Sequence, residues 1–173
     1  MEFQVRPVGL IHTPFRQRGE APRQGRFSRE EALIEIFPAF AEGLLGVEHS
    51  RYLLVLYRCD RADRERLVTV TPHGPEPRGV FACRSPSRPN PIALCVAELV
   101  SREGNRLVVR GVDALDGSPL VDIKPYVPDL DCGPTDVRPG LVPPGSRRRK
   151  ARGGVAPVGR RLCPWIGSAS SGW

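Results

Sequence analysis

The sequence lacks several features that common enzyme classes require. It has no Gly-x-Gly and no P-loop, which excludes the glycine-rich turn of nucleotide-cofactor folds. His12, His49 and His73 are far apart in sequence and show no metal-ligand spacing. No apolar run approaches the ~18 residues of a membrane span, and the first residues do not read as a signal peptide. We therefore expect no metal ion and no membrane association.

The cysteines also lack a pairing pattern. Five cysteines, an odd number with no Cys-x-x-Cys pair, argue against a disulfide framework and against a structural zinc site. These observations predict a reduced protein with a cytoplasmic location.

Charge is distributed unevenly along the 173 residues. Seven of the 26 Lys and Arg residues lie after residue 139, where there is no acidic residue, so the first 139 residues balance 19 basic against 19 acidic side chains. We therefore predict one folded domain over residues 1–139 and a basic Gly/Pro/Arg-rich tail over residues 140–173. Such a tail either attracts nucleic acid in a salt-sensitive manner or is a solvated extension without a partner.

Short β-rich segments separated by turn residues dominate the pattern. We expect strands over residues 5–12, 32–37, 52–57, 67–71, 92–101, 106–113 and 120–124, and a short helix over residues 39–45 that ends at Gly46. Residues 52–57 are continuously apolar, which predicts a central strand buried on both faces. Six or more short strands with almost no helical periodicity favour an all-β fold, either a barrel or a strongly curved sheet.

A stiff segment lies between two apolar runs. In residues 85–91 (Ser-Pro-Ser-Arg-Pro-Asn-Pro), named the proline arch here, three prolines restrict the backbone so that it can be neither helix nor central strand. A rigid loop that carries planar hydrogen-bonding groups can hold a small polar ligand at low entropic cost. The alternative is an ordinary solvated surface turn.

Four stretches in register carry a family resemblance. They are residues 7–15 (Pro-Val-Gly-Leu-Ile-His-Thr-Pro-Phe), 21–24 (Ala-Pro-Arg-Gln), 79–94 around the proline arch, and 113–126, which contains Asp-Gly-Ser-Pro and ends in Lys-Pro-Tyr. With them the chain resembles the TsaA-like family of tRNA methyltransferases. Characterised members of that family methylate N6 of threonylcarbamoyl-adenosine at position 37, next to the anticodon.

The resemblance implies a single-sheeted β-barrel with one or two short helices, an S-adenosylmethionine cofactor, a tRNA substrate and a homodimer with its site near the interface. It also implies a set of cofactor-binding residues. Two of them, Asp60 and Arg61, are transferred from the family by position only. The whole set is Pro22, Arg23 and Gln24; Asp60 and Arg61; Arg84; Leu94; and Asp116, Gly117, Ser118 and Pro119.

Residue chemistry suggests roles at the acceptor. The amide oxygen of Asn90 can accept a hydrogen bond from N6–H of adenine, and Tyr126 can stack on the base, so we predict both as catalytic residues. Lys124 and Arg88 are candidates for contacting the RNA backbone or the threonyl carboxylate, with Tyr126 also in the substrate site. The alternative for Asn90 is a turn-forming role, and the alternative for Tyr126 is a barrel-rim aromatic.

Two rival functions remain open on the sequence alone. One is a non-catalytic module that binds S-adenosylmethionine or RNA. The other is a methyltransferase that acts on a different substrate, such as a protein or a small molecule. Methyl incorporation into tRNA distinguishes both from the favoured function.

Overall fold

The computed structural model describes residues 4–71 and 74–132. It contains eight β-strands, four short 3-10 helices and one short α-helix. The strands are β1 Gly9–His12, β2 Glu31–Ile36, β3 Tyr52–Arg58, β4 Val68–Thr71, β5 Gly74–Gly79, β6 Ile92–Glu103, β7 Arg106–Arg110 and β8 Ser118–Pro125. The helices are Gly25–Phe27, Pro38–Leu44, Val47–His49 and Val80–Ala82, all 3-10, and the α-helix Pro128–Asp131.

Six strands close into an antiparallel barrel in the order β1-β2-β7-β6-β3-β8. The barrel confirms the predicted all-β class. Alternate residues of each strand point inward, so Ile11, Ile34, Leu53, Leu107 and Leu120 are completely buried at its centre. Closure of the sheet removes exposed strand edges from this part of the chain.

The outer face of β3 differs from the expectation. Leu53, Val55 and Tyr57 are buried, whereas Leu54 and Leu56 between them are only half-buried. The prediction that this strand is buried on both faces is therefore wrong, because a barrel wall covers one face only. The outward leucines pair across the wall with Val96 and Leu94 of β6, and together they form an apolar outer face.

Glycines lie at the predicted turns, and the predicted short helix is present as a 3-10 helix. The β6–β7 hairpin turns at Gly104, whose φ of 58° is readily adopted by glycine. The predicted helix near residues 39–45 is present as the 3-10 helix Pro38–Leu44, and Gly46 follows it with φ 81°. A proline at the start and a glycine just after the end explain both limits.

A second, two-stranded sheet of β4 and β5 was not predicted in full. Strand β5 contains Pro75 and Pro77, which lack the backbone donor that an interior strand needs. Such a strand forms here because it pairs on one side only.

Strand directions place three connections at the same end of the barrel. Strands β1, β3 and β7 end there, and β2, β6 and β8 begin there. We call this end, with its connections 13–30, 59–91 and 111–117, the loop end. The opposite end carries the start of β3, the end of β8 and the β6–β7 hairpin.

The compact barrel unit ends at Tyr126. The tail predicted over residues 140–173 lies outside the described residues and stays a prediction. Cys59, Cys83 and Cys95 are free thiols, whereas Cys132 is disulfide-bonded, so the expectation of reduced cysteines is wrong at that position. None of the helices within residues 4–71 and 74–132 has the length and apolar character to span a membrane.

Candidate functional site

The loop end collects the residues predicted to bind the cofactor. Pro22, Arg23 and Gln24 lie in connection 13–30, Asp60, Arg61 and Arg84 lie in connection 59–91, and Asp116 and Gly117 lie in connection 111–117. Ser118 and Pro119 begin β8, and Leu94 is near the start of β6. Antiparallel closure of the barrel thus brings distant parts of the chain to one end.

One hydrogen bond joins two of the predicted stretches directly. The Arg84 guanidinium donates through Nη1 to Oε1 of Gln24 at 3.0 Å, across 60 residues of sequence. The acceptor is a neutral amide, so the bond orients the arginine without cancelling its charge. Arg84 is exposed and therefore presents a fixed cation to solvent.

Arg61 links two further parts of the loop end. Its guanidinium donates to the carbonyl oxygens of Arg16 at 2.9 Å and Asp116 at 2.7 Å. This geometry gives Arg61 a role in holding two connections together, alongside any contact with a ligand. Its neighbour Asp60 is exposed.

The turn at residues 116–118 is held by its own hydrogen bonds. The Thr13 N–H donates to Oδ1 of Asp116 at 3.2 Å, and the Gly117 N–H donates to the Ile11 carbonyl at 2.8 Å. Gly117 has φ 76°, in the region that favours glycine. Ser118 is buried, so its side chain faces the barrel interior more than a ligand.

The proline arch has neither helix nor strand, as predicted. Arg88 within it donates to three carbonyl oxygens, those of Ser85 at 2.7 Å, Val80 at 2.8 Å and Cys83 at 2.5 Å. Its guanidinium is therefore engaged by the backbone that leads into the arch. This placement differs from the substrate-contacting role expected from the sequence.

Asn90 is exposed beside an open pocket with a volume of about 530 Å³. The pocket is lined by Arg64, Glu65, Leu67, Pro89 and Asn90. The backbone next to Asn90 is fixed, because the Cys59 N–H donates to the Pro91 carbonyl at 2.7 Å. A ligand that reached Asn90 through this pocket would meet its amide group directly.

Lys124 and Tyr126 lie at the opposite end of the barrel. The Tyr126 N–H donates to the Tyr52 carbonyl at 2.9 Å, and the two rings meet edge-on with centroids 6.5 Å apart. Lys124 forms an ion pair with Asp122 at 2.7 Å. Within one chain, the structure therefore does not bring either residue together with Asn90.

A polar cluster beneath the loop end was missed by the sequence analysis. Oδ1 of Asp113 accepts hydrogen bonds from the Tyr57 hydroxyl at 2.8 Å and from the Cys95 thiol at 2.7 Å. Burial is the main reason that the pKa values of Tyr57 and Cys95 are raised, and the Asp113 carboxylate adds to both. Burial likewise raises the pKa of the nearby Cys59 to about 11.

The cluster also supports connection 13–30. Gly25 is buried, and a Cβ at that position would collide with the Gly111 carbonyl oxygen and lie 3.0 Å from Sγ of Cys95. Only glycine allows this close approach, which places residues 22–24 over the start of β6. The sequence offered no local signal for a contact between positions so far apart.

The donor set at the loop end fits the cofactor that the resemblance implies. A methionyl carboxylate can pair with Arg84 or Arg23, and an ammonium group can pair with Asp60. Leu94 is 46% exposed and offers an apolar surface for an adenine ring. Among the described residues, no three metal-ligating side chains come together.

Comparison with known proteins agrees with these features. Residues 10–132 match the family described as tRNA-methyltransferase O N-terminal domain. The chain is 52% identical over 128 residues to an Archaeoglobus fulgidus protein named S-adenosyl-L-methionine-binding protein, covering 74% of this chain and 92% of that protein. It is 38% identical over 156 residues to a Pseudomonas aeruginosa protein named putative S-adenosylmethionine-dependent methyltransferase, covering 84% and 67%.

Solved structures give the same relationship. A crystal structure titled TrmO superposes with a TM-score of 0.69 at 36% identity, covering 84% of this chain and 66% of that one. The crystal structure of TrmO from Pseudomonas aeruginosa gives 0.67 at 34% identity, covering 82% and 63%. The chain thus spans slightly less than two thirds of these crystallised chains.

Proposed function

This chain belongs to the tRNA-methyltransferase O N-terminal domain family, and on that premise we propose that it is an S-adenosylmethionine-dependent methyltransferase. The acceptor we propose is N6 of threonylcarbamoyl-adenosine at position 37 of a tRNA. Because the proposed substrate is a tRNA, the proposed location is cytoplasmic.

The observation that carries the proposal is the hydrogen bond from Arg84 to Gln24. It joins two motifs of the family resemblance at the end of the barrel where the Asp116 turn and Arg61 also lie. A cation held by neutral partners is suited to the carboxylate of an amino-acid-like ligand. The exposed Leu94 nearby on β6 is suited to the adenine of the same ligand.

The chemistry required of the protein is mainly positioning. S-adenosylmethionine supplies a sulfonium methyl group that is already electrophilic. Asn90 would orient the acceptor amine by accepting a hydrogen bond from N6–H through its amide oxygen, the proton displaced by the methyl group would leave to solvent, and the rigid proline arch keeps this amide in place. Arg88 maintains the backbone of the arch through its three carbonyl contacts. These tasks need alignment more than a strong base.

We also propose a homodimer. The outer face of β3 and β6 presents apolar side chains beside the adenine surface assigned to Leu94, with Leu54 paired to Val96 and Leu56 half-buried. Two copies packed through this face about a twofold axis, with strands antiparallel, would set the opposite end of one barrel beside the loop end of the other. Lys124 and Tyr126 of one copy could then approach Asn90 of the other.

The decisive experiment uses the full-length chain with methyl-labelled S-adenosylmethionine and bulk tRNA, followed by identification of the labelled nucleoside. We expect label on N6 of threonylcarbamoyl-adenosine. Label on another nucleoside would overturn the proposed acceptor. Label found only on co-purified protein or small molecules would show that the substrate is not a tRNA.

A second candidate is a binding protein that does not transfer methyl groups, and the name of the Archaeoglobus fulgidus relative, S-adenosyl-L-methionine-binding protein, favours it. It predicts saturable S-adenosylmethionine binding by calorimetry with no label in any acceptor. Transfer that depends on Asn90 would exclude it.

A further inference from the structure

The pocket beside Asn90 has features that the proposed methyl transfer does not by itself require. It combines a cation, an anion and an apolar side chain, supplied by Arg64, Glu65 and Leu67. These residues lie in the first part of connection 59–91, directly after β3. That part carries no motif of the family resemblance. Their position next to Asn90 follows from the fold and could not be read from the sequence.

Arg64 is oriented by the arch. Its Nε donates to the carbonyl of Pro89 at 3.5 Å, across 25 residues of sequence. Pro89 is the residue before Asn90. Within residues 4–71 and 74–132 the bond to Pro89 is the one hydrogen bond or ion pair that the Arg64 side chain makes. The terminal Nη1 and Nη2 groups, which form the fork that binds carboxylates in pairs, therefore remain available beside the pocket.

The two opposite charges restrict the class of ligand. RNA phosphates carry acceptors only, so Glu65 would repel them in this pocket. A ligand with both a carboxylate and N–H or O–H donors satisfies Arg64 and Glu65 together. Leu67 is 62% exposed and offers an apolar surface for a small methyl group.

We propose that Arg64, assisted by Glu65 and Leu67, recognises the amino-acid group attached to N6 of the acceptor adenine and makes the enzyme selective for a base that already carries it. The carboxylate of a threonylcarbamoyl group would bind the Arg64 fork, its hydroxyl or amide N–H would donate to Glu65, and its methyl group would contact Leu67. This inference rests on the proposed function and adds the specificity determinant to it. Arg64 takes the carboxylate-binding role that the sequence suggested for Arg88, whose guanidinium is held by backbone carbonyls.

The test compares two forms of one tRNA as methyl acceptors. In the first, adenosine 37 carries threonylcarbamoyl with a free carboxylate; in the second, that carboxylate is converted to a methylamide. We expect the wild-type enzyme to prefer the free acid by at least about tenfold in kcat/KM, which corresponds to one charge-assisted hydrogen bond. Arg64→Gln should methylate both forms at similar rates, and Arg64→Lys should keep part of the preference.

The matched control is Arg66→Gln, which removes the same charge two positions away. Arg66 pairs with Asp63 at 3.3 Å and does not line the pocket, so the acid-to-amide ratio should remain at the wild-type value. Binding of S-adenosylhomocysteine, measured by calorimetry for each variant, reports that the loop end is intact.

Three outcomes would overturn the inference, and they differ from one another. A wild-type enzyme that methylates neither tRNA removes the proposed function together with this inference. Undiminished discrimination in Arg64→Gln, with S-adenosylhomocysteine affinity unchanged, removes the inference alone. A tenfold loss of S-adenosylhomocysteine affinity in Arg64→Gln, with an unchanged acid-to-amide ratio, would mean that the pocket binds the methionyl group of the cofactor.

Discussion

The candidate site and the opposite end of the barrel hold their arginines in different ways. At the opposite end, Arg102 pairs with Glu48 at 2.8 Å and Arg51 pairs with Glu98 at 3.5 Å. At the loop end, the arginines of the candidate site bind neutral oxygens. Arg61 and Arg88 donate to backbone carbonyls, and Arg84 donates to the Gln24 amide.

This difference matters for ligand binding. A carboxylate partner cancels the charge of a guanidinium, whereas a carbonyl or amide partner fixes its direction and leaves the charge in place. The loop end is therefore prepared for anionic groups such as the cofactor carboxylate and the acceptor's amino-acid group. The contrast belongs to the candidate site and not to the whole loop end, since Arg110 pairs with Glu31 and Arg66 with Asp63 there.

Removing the half-buried Asp113 acceptor beneath the loop end should have the largest effect. Asp113→Ala leaves the Tyr57 hydroxyl and the Cys95 thiol without their shared partner, and we expect a loss of about 2–3 kcal/mol in the free energy of unfolding. Urea titration measures this loss. Tyr57→Phe removes one donor, but Oδ1 of Asp113 keeps its hydrogen bond from the Cys95 thiol. This variant should therefore lose only about 1 kcal/mol in the free energy of unfolding. Equal losses in the two variants would show that the cluster does not support the loop end.

The same cluster should make the protein sensitive to alkaline pH, as the next largest effect. Cys59 has a raised pKa of about 11 against an ordinary value of 9.0, and the pKa values of Cys95 and Tyr57 are raised as well. Above pH 9 the unfolded chain releases protons that the folded chain retains, so stability is lost as the pH rises towards 11. Urea midpoints at pH 8 and pH 10 measure the decline. A variant with Cys59→Ala and Cys95→Ala should show a shallower decline, and an unchanged slope would contradict the assignment.

Asn90→Ala tests whether the arch acts on the acceptor and not on the cofactor. We expect turnover at saturating S-adenosylmethionine to fall by roughly 100-fold, because a positioned acceptor for the N6 hydrogen is lost. Cofactor affinity should stay nearly constant, as measured by calorimetry. If affinity and turnover fell in parallel, Asn90 would be maintaining the arch and would have no direct role in transfer.

The barrel and the loop-end assembly were largely predictable because their signals are local. Alternation and turn residues indicated most strands, and motif order indicated that the stretches around Arg84, Gln24 and Asp116 belong to one site. Strand β5 was missed because its two prolines are typical of loops, and only pairing on a single side allows it to form.

The remaining roles depend on where the folded chain places each side chain. Nothing local distinguishes Arg88, whose guanidinium donates to three nearby backbone carbonyls, from Arg64, which lines a pocket. Lys124 and Tyr126 follow the Asp116 turn closely in sequence, but β8 rises about 3.3 Å per residue. That rise carries them to the other end of the barrel from Asn90.

Arg84→Ala tests whether the uncancelled charge of an arginine at the candidate site contributes to cofactor affinity. A charge-assisted pair in a partly desolvated site is worth about 1.5–3 kcal/mol, so S-adenosylmethionine affinity should fall by more than tenfold. Titration calorimetry measures the change, with Gln24→Ala as a companion that removes the orienting acceptor while keeping the charge. Unaltered affinity in a folded Arg84→Ala protein would remove this residue from the site.

Arg102→Ala provides the counterpart at the opposite end, with the smallest expected effect. Arg102 donates to the Leu44 carbonyl at 2.8 Å and pairs with Glu48, which is half-exposed, so solvent weakens the ion pair. We expect a loss of about 1 kcal/mol in the free energy of unfolding, most of it from the carbonyl contact. S-adenosylmethionine affinity should not change, because no residue of the cofactor site contacts this arginine. A lower affinity in Arg102→Ala would show that the two ends of one barrel are coupled, and the assignment of cofactor binding to the loop end alone would then be wrong.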